Sequence, residues 1–197
     1  MRHFTRLAVA LAATVLALPA SAATIVFFTT MDGPSESPPV ASPGTGWARV
    51  TFDDLALTMR VQAVFDDLVG TTTVAHIHCC TAEPGAGTIG VATQPGTFLG
   101  WPVGVTSGSY DNTFDMSVAA SYTAAFLTAN GGTPAGALAG LLAGLEAGRG
   151  YFNVHSSFAP GGEIRGFLAR VPEPGSLILI GLGLVIVALA TRQRRSD

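Results

Sequence analysis

The sequence predicts a mainly β, antiparallel domain of sandwich or barrel-like form with one or two short helices, set between an N-terminal signal peptide and a C-terminal hydrophobic helix. Three observations predict it. Short β-rich runs with period-two alternation recur through residues 23–170, separated by Gly- and Pro-rich turns. Only two stretches, 121–130 and 135–147, change to a helical period. Both chain ends carry apolar runs flanked by arginines, a pattern of targeting segments and not of a core. Many short strands with few helices fit sandwiches and barrels.

The elements follow in order. Arg2, His3 and Arg6 give a basic start, and Leu7 to Leu18 is apolar apart from Thr14. Pro19 ends any helix there, and Ala20-Ser21-Ala22 supplies the small residues that a signal peptidase needs. Residues 1–22 therefore read as a signal peptide cleaved after Ala22 or Ala23. A retained anchor is the alternative, which the shortness of the run disfavours.

Residues 23–170 form the domain. Ala23 to Thr30 is apolar and β-branched, and Asp32 to Gly46 is a Pro-, Ser- and Gly-rich loop. Trp47 to Phe52 is a short strand that turns at Asp53-Asp54. Leu55, Leu57, Met59, Val61, Ala63 and Phe65 then alternate with polar neighbours as its hairpin partner. Asp66-Asp67 opens a turn before a strand over Thr72 to Cys79, and Glu83 to Gly90 is a Gly/Pro loop. Tyr110, Asn112, Phe114, Met116 and Val118 alternate as a further strand. Ser121 to Asn130 is a short helix stopped by Asn130-Gly131-Gly132. Ala135 to Ala147 places Leu138, Leu141, Leu142 and Leu145 on one face, with Gly148 as its stop. Tyr151 to Ser156 and Glu163 to Ala169 are closing strands joined through Pro160-Gly161-Gly162.

Residues 171–197 form a tail. Val171-Pro172-Glu173-Pro174-Gly175 excludes helix, Leu177 to Ala190 is apolar or Gly throughout, and Arg192, Arg194 and Arg195 follow. The apolar run is short for a span, but a core helix is not hydrophobic on every face. Together with an exported N-terminus, the terminal arginines predict a cytoplasmic end. The order of Pro-Glu-Pro, apolar run and Arg-rich end resembles the PEP-CTERM sorting signal of Gram-negative bacteria that make extracellular matrix. The resemblance implies an exosortase as partner, cleavage near Pro172-Glu173-Pro174, and release or transfer to the surface. Residues 177–190 would then sit in the inner membrane transiently. A permanent single-span anchor is the alternative.

Charge narrows the function classes. The domain holds only Arg49, Arg60, Arg149, Arg165 and Arg170 against eleven aspartates and glutamates, so the basic residues concentrate in the two ends. That excess of negative charge argues against nucleic acid and anionic membranes as partners of the domain. The only cysteines, Cys79 and Cys80, are neighbours and cannot staple distant strands. A vicinal disulfide, free or intermolecular thiols, and soft metal ligands all remain open.

Two segments stand out. The first is Ala75-His76-Ile77-His78 with Gly85, Gly87 and Gly90 behind it. The second is Tyr151-Phe152-Asn153-Val154-His155, followed by Gly161-Gly162-Glu163-Ile164-Arg165-Gly166. Together they resemble the CHRD domain, first described in chordin and common in secreted bacterial proteins. The resemblance covers roughly residues 24–170 and implies fold and compartment more than chemistry. Cys79-Cys80 departs from the pattern, so the resemblance implies nothing about that pair.

Read directly, His76 and His78 project from one face of a strand, spaced to chelate one ion. Tyr151, Asn153 and His155 share a face of another. If the strands are close, three imidazoles suit copper or zinc, with the cysteine pair as possible helpers. The His-x-His strand is also similar to the copper-binding strand of copper-zinc superoxide dismutases, but no His-rich zinc loop accompanies it. The competing reading is structural: buried His and Asn fix strand register, and Glu163 with Arg165 forms a cross-strand ion pair. Gly161 and Gly162 then serve a tight turn. No Gly-x-Ser-x-Gly elbow, P-loop or dinucleotide fingerprint occurs, and Asp53-Asp54 and Asp66-Asp67 read as turns. The expectation is a non-enzymatic surface or matrix protein, without an obligate cofactor, that binds an extracellular polysaccharide or matrix protein. Trp47 and Trp101 are possible sugar-stacking platforms, with core packing as the alternative.

Overall fold

A computed structural model describes residues 24–172 and positions 181, 183 and 184. The segment read as a signal peptide lies outside the described residues. So do Glu173, Pro174, Arg192, Arg194, Arg195 and all of 177–190 except those three positions. Among the described residues no helix is long and apolar enough to cross a membrane.

Alternation dictates the sheet. In β1 (Thr24–Asp32), Phe27 and Met31 point inward. In β2 (Thr45–Asp53), Ala48, Val50 and Phe52 do so, and in β3 (Thr58–Asp66), Met59, Val61, Ala63 and Phe65. The domain is mainly β. A single eight-stranded antiparallel sheet curls into a half-barrel, in the order β4-β6-β7-β1-β2-β3-β5, with β8 (Ala169–Arg170) paired to β1. Its two ends are β4 (Thr72–Cys79) and β5 (Gly108–Asp115). The segment 91–105 spans the gap between them. Phe98 stacks on Tyr110 of β5 and on Phe152 of β6 (Gly150–Ser156) and packs at a tilt against Phe114 of β5, while Trp101 stacks on Phe65.

The helices are short because their signals are. α1 (Ala124–Ala129) is capped by Thr123, whose hydroxyl accepts from Phe126 N–H, and α2 (Pro134–Glu146) is capped by Thr133, which accepts from Gly136 N–H. Pro134 opens α2, and Gly148, at φ +67°, follows its end. Leu141 and Leu145 are buried in the core, and Leu138 and Leu142 pack half-buried at its edge.

Several expected boundaries move. Leu55 and Leu57 do not belong to β3. The Asp53 carboxylate accepts from the N–H groups of Leu55 and Ala56, Leu57 adopts φ +52°, and Leu55 stands 68% exposed. The turn won because an Asp side chain offers the backbone a local acceptor. β5 ends at Asp115, whose carboxylate accepts from Ser117, and Val118 lies in the following turn. The expected helix from Ser121 starts at Ala124, after a one-turn 3-10 helix over Ala119–Ser121. The last strand divides into β7 (Ile164–Phe167) and β8 at buried Leu168, whose N–H bonds to Gly150. Trp101 is core, whereas Trp47 lies half-buried on the outer face, stacked on Phe28.

Candidate metal centre

β4 and β6 are adjacent antiparallel strands, and their register sets His76 opposite Asn153, His78 opposite Tyr151, and Val74 opposite His155. The alternate residues Ile77, Phe152 and Val154 enter the apolar core. The polar set therefore collects on the other face, beneath three loops that follow β1, β4 and β6. A ring nitrogen from each of His76, His78 and His155 lies within 4.8 Å of the others.

The hydrogen bonds orient these rings. His76 Nδ1 faces Gly96 O at 3.1 Å, His78 Nδ1 faces Ile89 O at 2.6 Å, and His155 Nδ1 faces Pro160 O at 2.8 Å. A carbonyl only accepts, so each Nδ1 carries the hydrogen and each Nε2 keeps a lone pair. Nε2 of His76 and Nε2 of His155 stand 2.9 Å apart, and Nε2 of His78 is buried with no hydrogen-bond partner among the described residues. Burial depresses all three histidines, and the neighbouring imidazoles add to the effect at His76. His76 is held down to about 3 and His78 to about 4. Three neutral imidazoles thus converge their lone pairs, an arrangement that repels itself unless a proton is shared within the His76–His155 pair or a metal cation sits between the rings.

Distances support this. Two nitrogens at 2.0–2.1 Å from a tetrahedral ion are about 3.3 Å apart, so adjustments of about an ångström bring the three rings to a metal. Nδ1–H donated to a backbone carbonyl is the usual outer support of a metal-bound histidine.

Around the rings lies a buried polar shell. Tyr151 stacks on His78 with centroids 4.6 Å apart, and the Arg165 guanidinium lies 4.8 Å from the same tyrosine centroid. Since β6 runs between β4 and β7, the tyrosine ring is sandwiched between the two. Arg165, opposite Asn153, donates to Ser35 O and to Gly87 O at 3.1 Å.

Two expectations are corrected here. Arg165 does not pair with Glu163: the carboxylate nearest its guanidinium is Glu36, at 3.8 Å. Glu163 instead accepts from Ser42 Oγ (2.6 Å), Val69 N–H (2.6 Å), Gly70 N–H (3.2 Å) and Ser156 Oγ, pinning the β1–β2 and β3–β4 connections to β6. Burial alone would raise its carboxyl, but these bonds outweigh it and hold the group below the usual carboxylate range. The reason is geometric: donors crowd Glu163 on its own side, while β7 sends Arg165 toward the loop after β1.

The cysteine pair, joined as a vicinal disulfide, does not help the histidines either. Cys79 belongs to the apolar core, and Cys80 Sγ packs near Gly140 O of α2, so both lie across β4 from the rings. Gly161 and Gly162 form the turn after Pro160, and Gly162 adopts φ +129°. A Cβ there would lie 2.6 Å from both Asn153 Oδ1 and Glu36 Oε1.

Sequence reasoning missed Glu36, which is buried at 7% exposure. Its setting, a Ser- and Pro-rich loop, reads as solvent-facing, and no local signal contradicts that. An apolar cavity of about 500 Å³ between Leu57, Met116, Leu138 and Leu142 lies away from the histidines.

Comparison with known proteins agrees with this frame. Residues 170–195 match the PEP-CTERM protein-sorting motif, the mark of exosortase-mediated sorting to the cell envelope or surface. No curated protein and no solved structure matches the chain. The CHRD domain model matches residues 27–168, which contain the whole polar face just described, and the chain belongs to that family.

Proposed function

We propose that this exosortase-sorted extracellular protein acts at the cell surface or in the matrix as a metal-binding module, with His76, His78 and His155 holding one copper or zinc ion through Nε2. The observation that carries this is the hydrogen-bond pattern of the three rings. All three Nδ1 atoms face carbonyls, and the three lone pairs left over meet in a buried site. On this reading signal peptidase acts after residue 22 or 23, and exosortase acts at Pro172-Glu173-Pro174. Residues 177–190 occupy the inner membrane before release, and the exposed faces of the domain meet matrix polysaccharide or protein.

The test is elemental analysis of the exported protein beside a His76→Ala/His78→Ala/His155→Ala variant. Near one equivalent of copper or zinc, absent from the variant, is the expected result. A metal-free wild type that also refuses loading overturns the reading. It would leave a hydrogen-bonded histidine network, with one ring of the His76–His155 pair protonated at Nε2, whose role is to hold β4 against β6.

A further inference from the structure

We propose that Glu36 is the charge-compensating residue of the histidine centre: its buried carboxyl holds a proton beside Asn153 when no cation is bound, and gives it up when a divalent ion enters. This rests on the metal reading above and assigns a role to a residue outside the ligand set.

The geometry is a pair of stranded acceptors. Glu36 Oε1 and Asn153 Oδ1 are both buried without a hydrogen-bond partner among the described residues. Both lie 2.6 Å from the same point, where Gly162 would carry a Cβ, with Asn153 Nδ2 2.7 Å from it, so the carboxyl and the amide meet within about 5 Å. Two buried acceptors facing one glycine are costly. A proton on Glu36 turns one of them into a donor. Burial pushes the Glu36 carboxyl up to about 7, although Arg165, the Ser37 N–H and the Asn153 amide pull it down.

Every charged neighbour bears on the argument. From β7, the Arg165 guanidinium lies 3.8 Å from Glu36 Oε2 and is itself only 5% exposed. Its field also reaches His78, whose protonation it disfavours. From β6 come Tyr151, which is uncharged, and Asn153. From β4 come His76 and His78, both neutral. Glu163 is already ionised and committed to four donors. A divalent ion bound by three neutral imidazoles beside Arg165 therefore needs a further anion, and Glu36 is the buried carboxyl with acceptor capacity to spare. The exchange balances: one divalent cation enters, one proton leaves to solvent, and no electron moves. A monovalent ion such as Cu(I) makes a smaller demand, so Glu36 sets the preference for ion charge.

Zinc alone is titrated calorimetrically into the exported protein and its Glu36→Gln variant at about pH 6, in two buffers of different ionisation enthalpy. The wild type should release about one proton more per zinc than the variant. The variant should bind zinc at least about tenfold more weakly, while a parallel anaerobic Cu(I) competition titration should find nearly equal affinity in the two proteins. Equal proton release and equal zinc affinity overturn the role of Glu36 and leave the metal reading standing. Absence of zinc binding by the wild type overturns the role of Glu36, and absence of copper binding as well overturns the metal reading too. If E36Q fails to fold, carboxyl-carbon NMR of the wild type decides. The Glu36 resonance must move from its protonated to its ionised position on zinc addition, and an unmoved resonance overturns the proposal.

Discussion

Gly162 shows how closely the polar face is packed. Its φ of +129° is one that side chains rarely adopt, and Asn153 and Glu36 occupy the space a Cβ would take. Gly162→Ala is expected to destabilise the domain by about 1–3 kcal/mol, read as a lowered thermal midpoint, and an unchanged midpoint would refute this packing. Glu163→Gln tests the other carboxyl. One amide cannot accept from all four donors, two of them backbone N–H groups, so a loss of about 2 kcal/mol or more is expected in denaturant titrations. At this scale the candidate residues were legible as types and spacings, since His-x-His and Tyr-x-Asn-x-His share faces by period alone. Their partners were not. Glu163 and Arg165 stand two apart and invite pairing, yet each is claimed by a loop remote in sequence.

Among the elements, α2 carries its own start and stop signals and lies against the disulfide. Thr133→Ala removes the cap on Gly136 N–H and should cost about 1 kcal/mol. For a domain of this size that is about 2–4 °C in melting temperature. Gly144 faces both sulfurs of Cys79–Cys80, so a methyl group there falls inside their contact distance. Gly144→Ala is expected to lower stability more than Gly140→Ala, where the near neighbour is the Asn130 side chain and can turn away. Equal effects in the two melts would show that α2 shifts freely over the disulfide. The β2–β3 hairpin was readable at this scale from its alternation and turn, whereas the partners of the other strands were not. Within that hairpin the reading failed at Leu55 and Leu57, where an Asp-led turn overrode an alternation that was continuous in sequence.

Across the molecule, the buried titratable groups set an acid limit. His76 and His78 take up protons near 6.5 when unfolded but only near 3 and 4 when folded. Between those values the unfolded chain binds more protons, so their contribution to stability is present above about 6.5 and is lost as pH falls. Glu36 works in the opposite sense. Its carboxyl is raised from 4.5 to about 7, so the folded state binds the extra proton and gains stability as pH falls through that window. Two histidines outweigh one carboxyl. The metal-free protein should therefore lose thermal stability steadily below about pH 6, and E36Q should lose it more steeply. A midpoint flat from pH 7 to 4 would contradict both statements.

The sequence by itself determined the class of fold, the order of strands and helices, the C-terminal sorting motif and which residues share a face within β4 and within β6. These follow from local periodicity, turn chemistry and composition, which act over a few neighbouring residues. Only the tertiary structure decided that the sheet curls into one half-barrel closed by segment 91–105. It alone sent the disulfide to the opposite side of β4 from the histidines and brought Glu36 beneath a surface loop. Those outcomes depend on which distant segments compete for the same buried space and the same hydrogen-bond donors, and no local pattern records that competition.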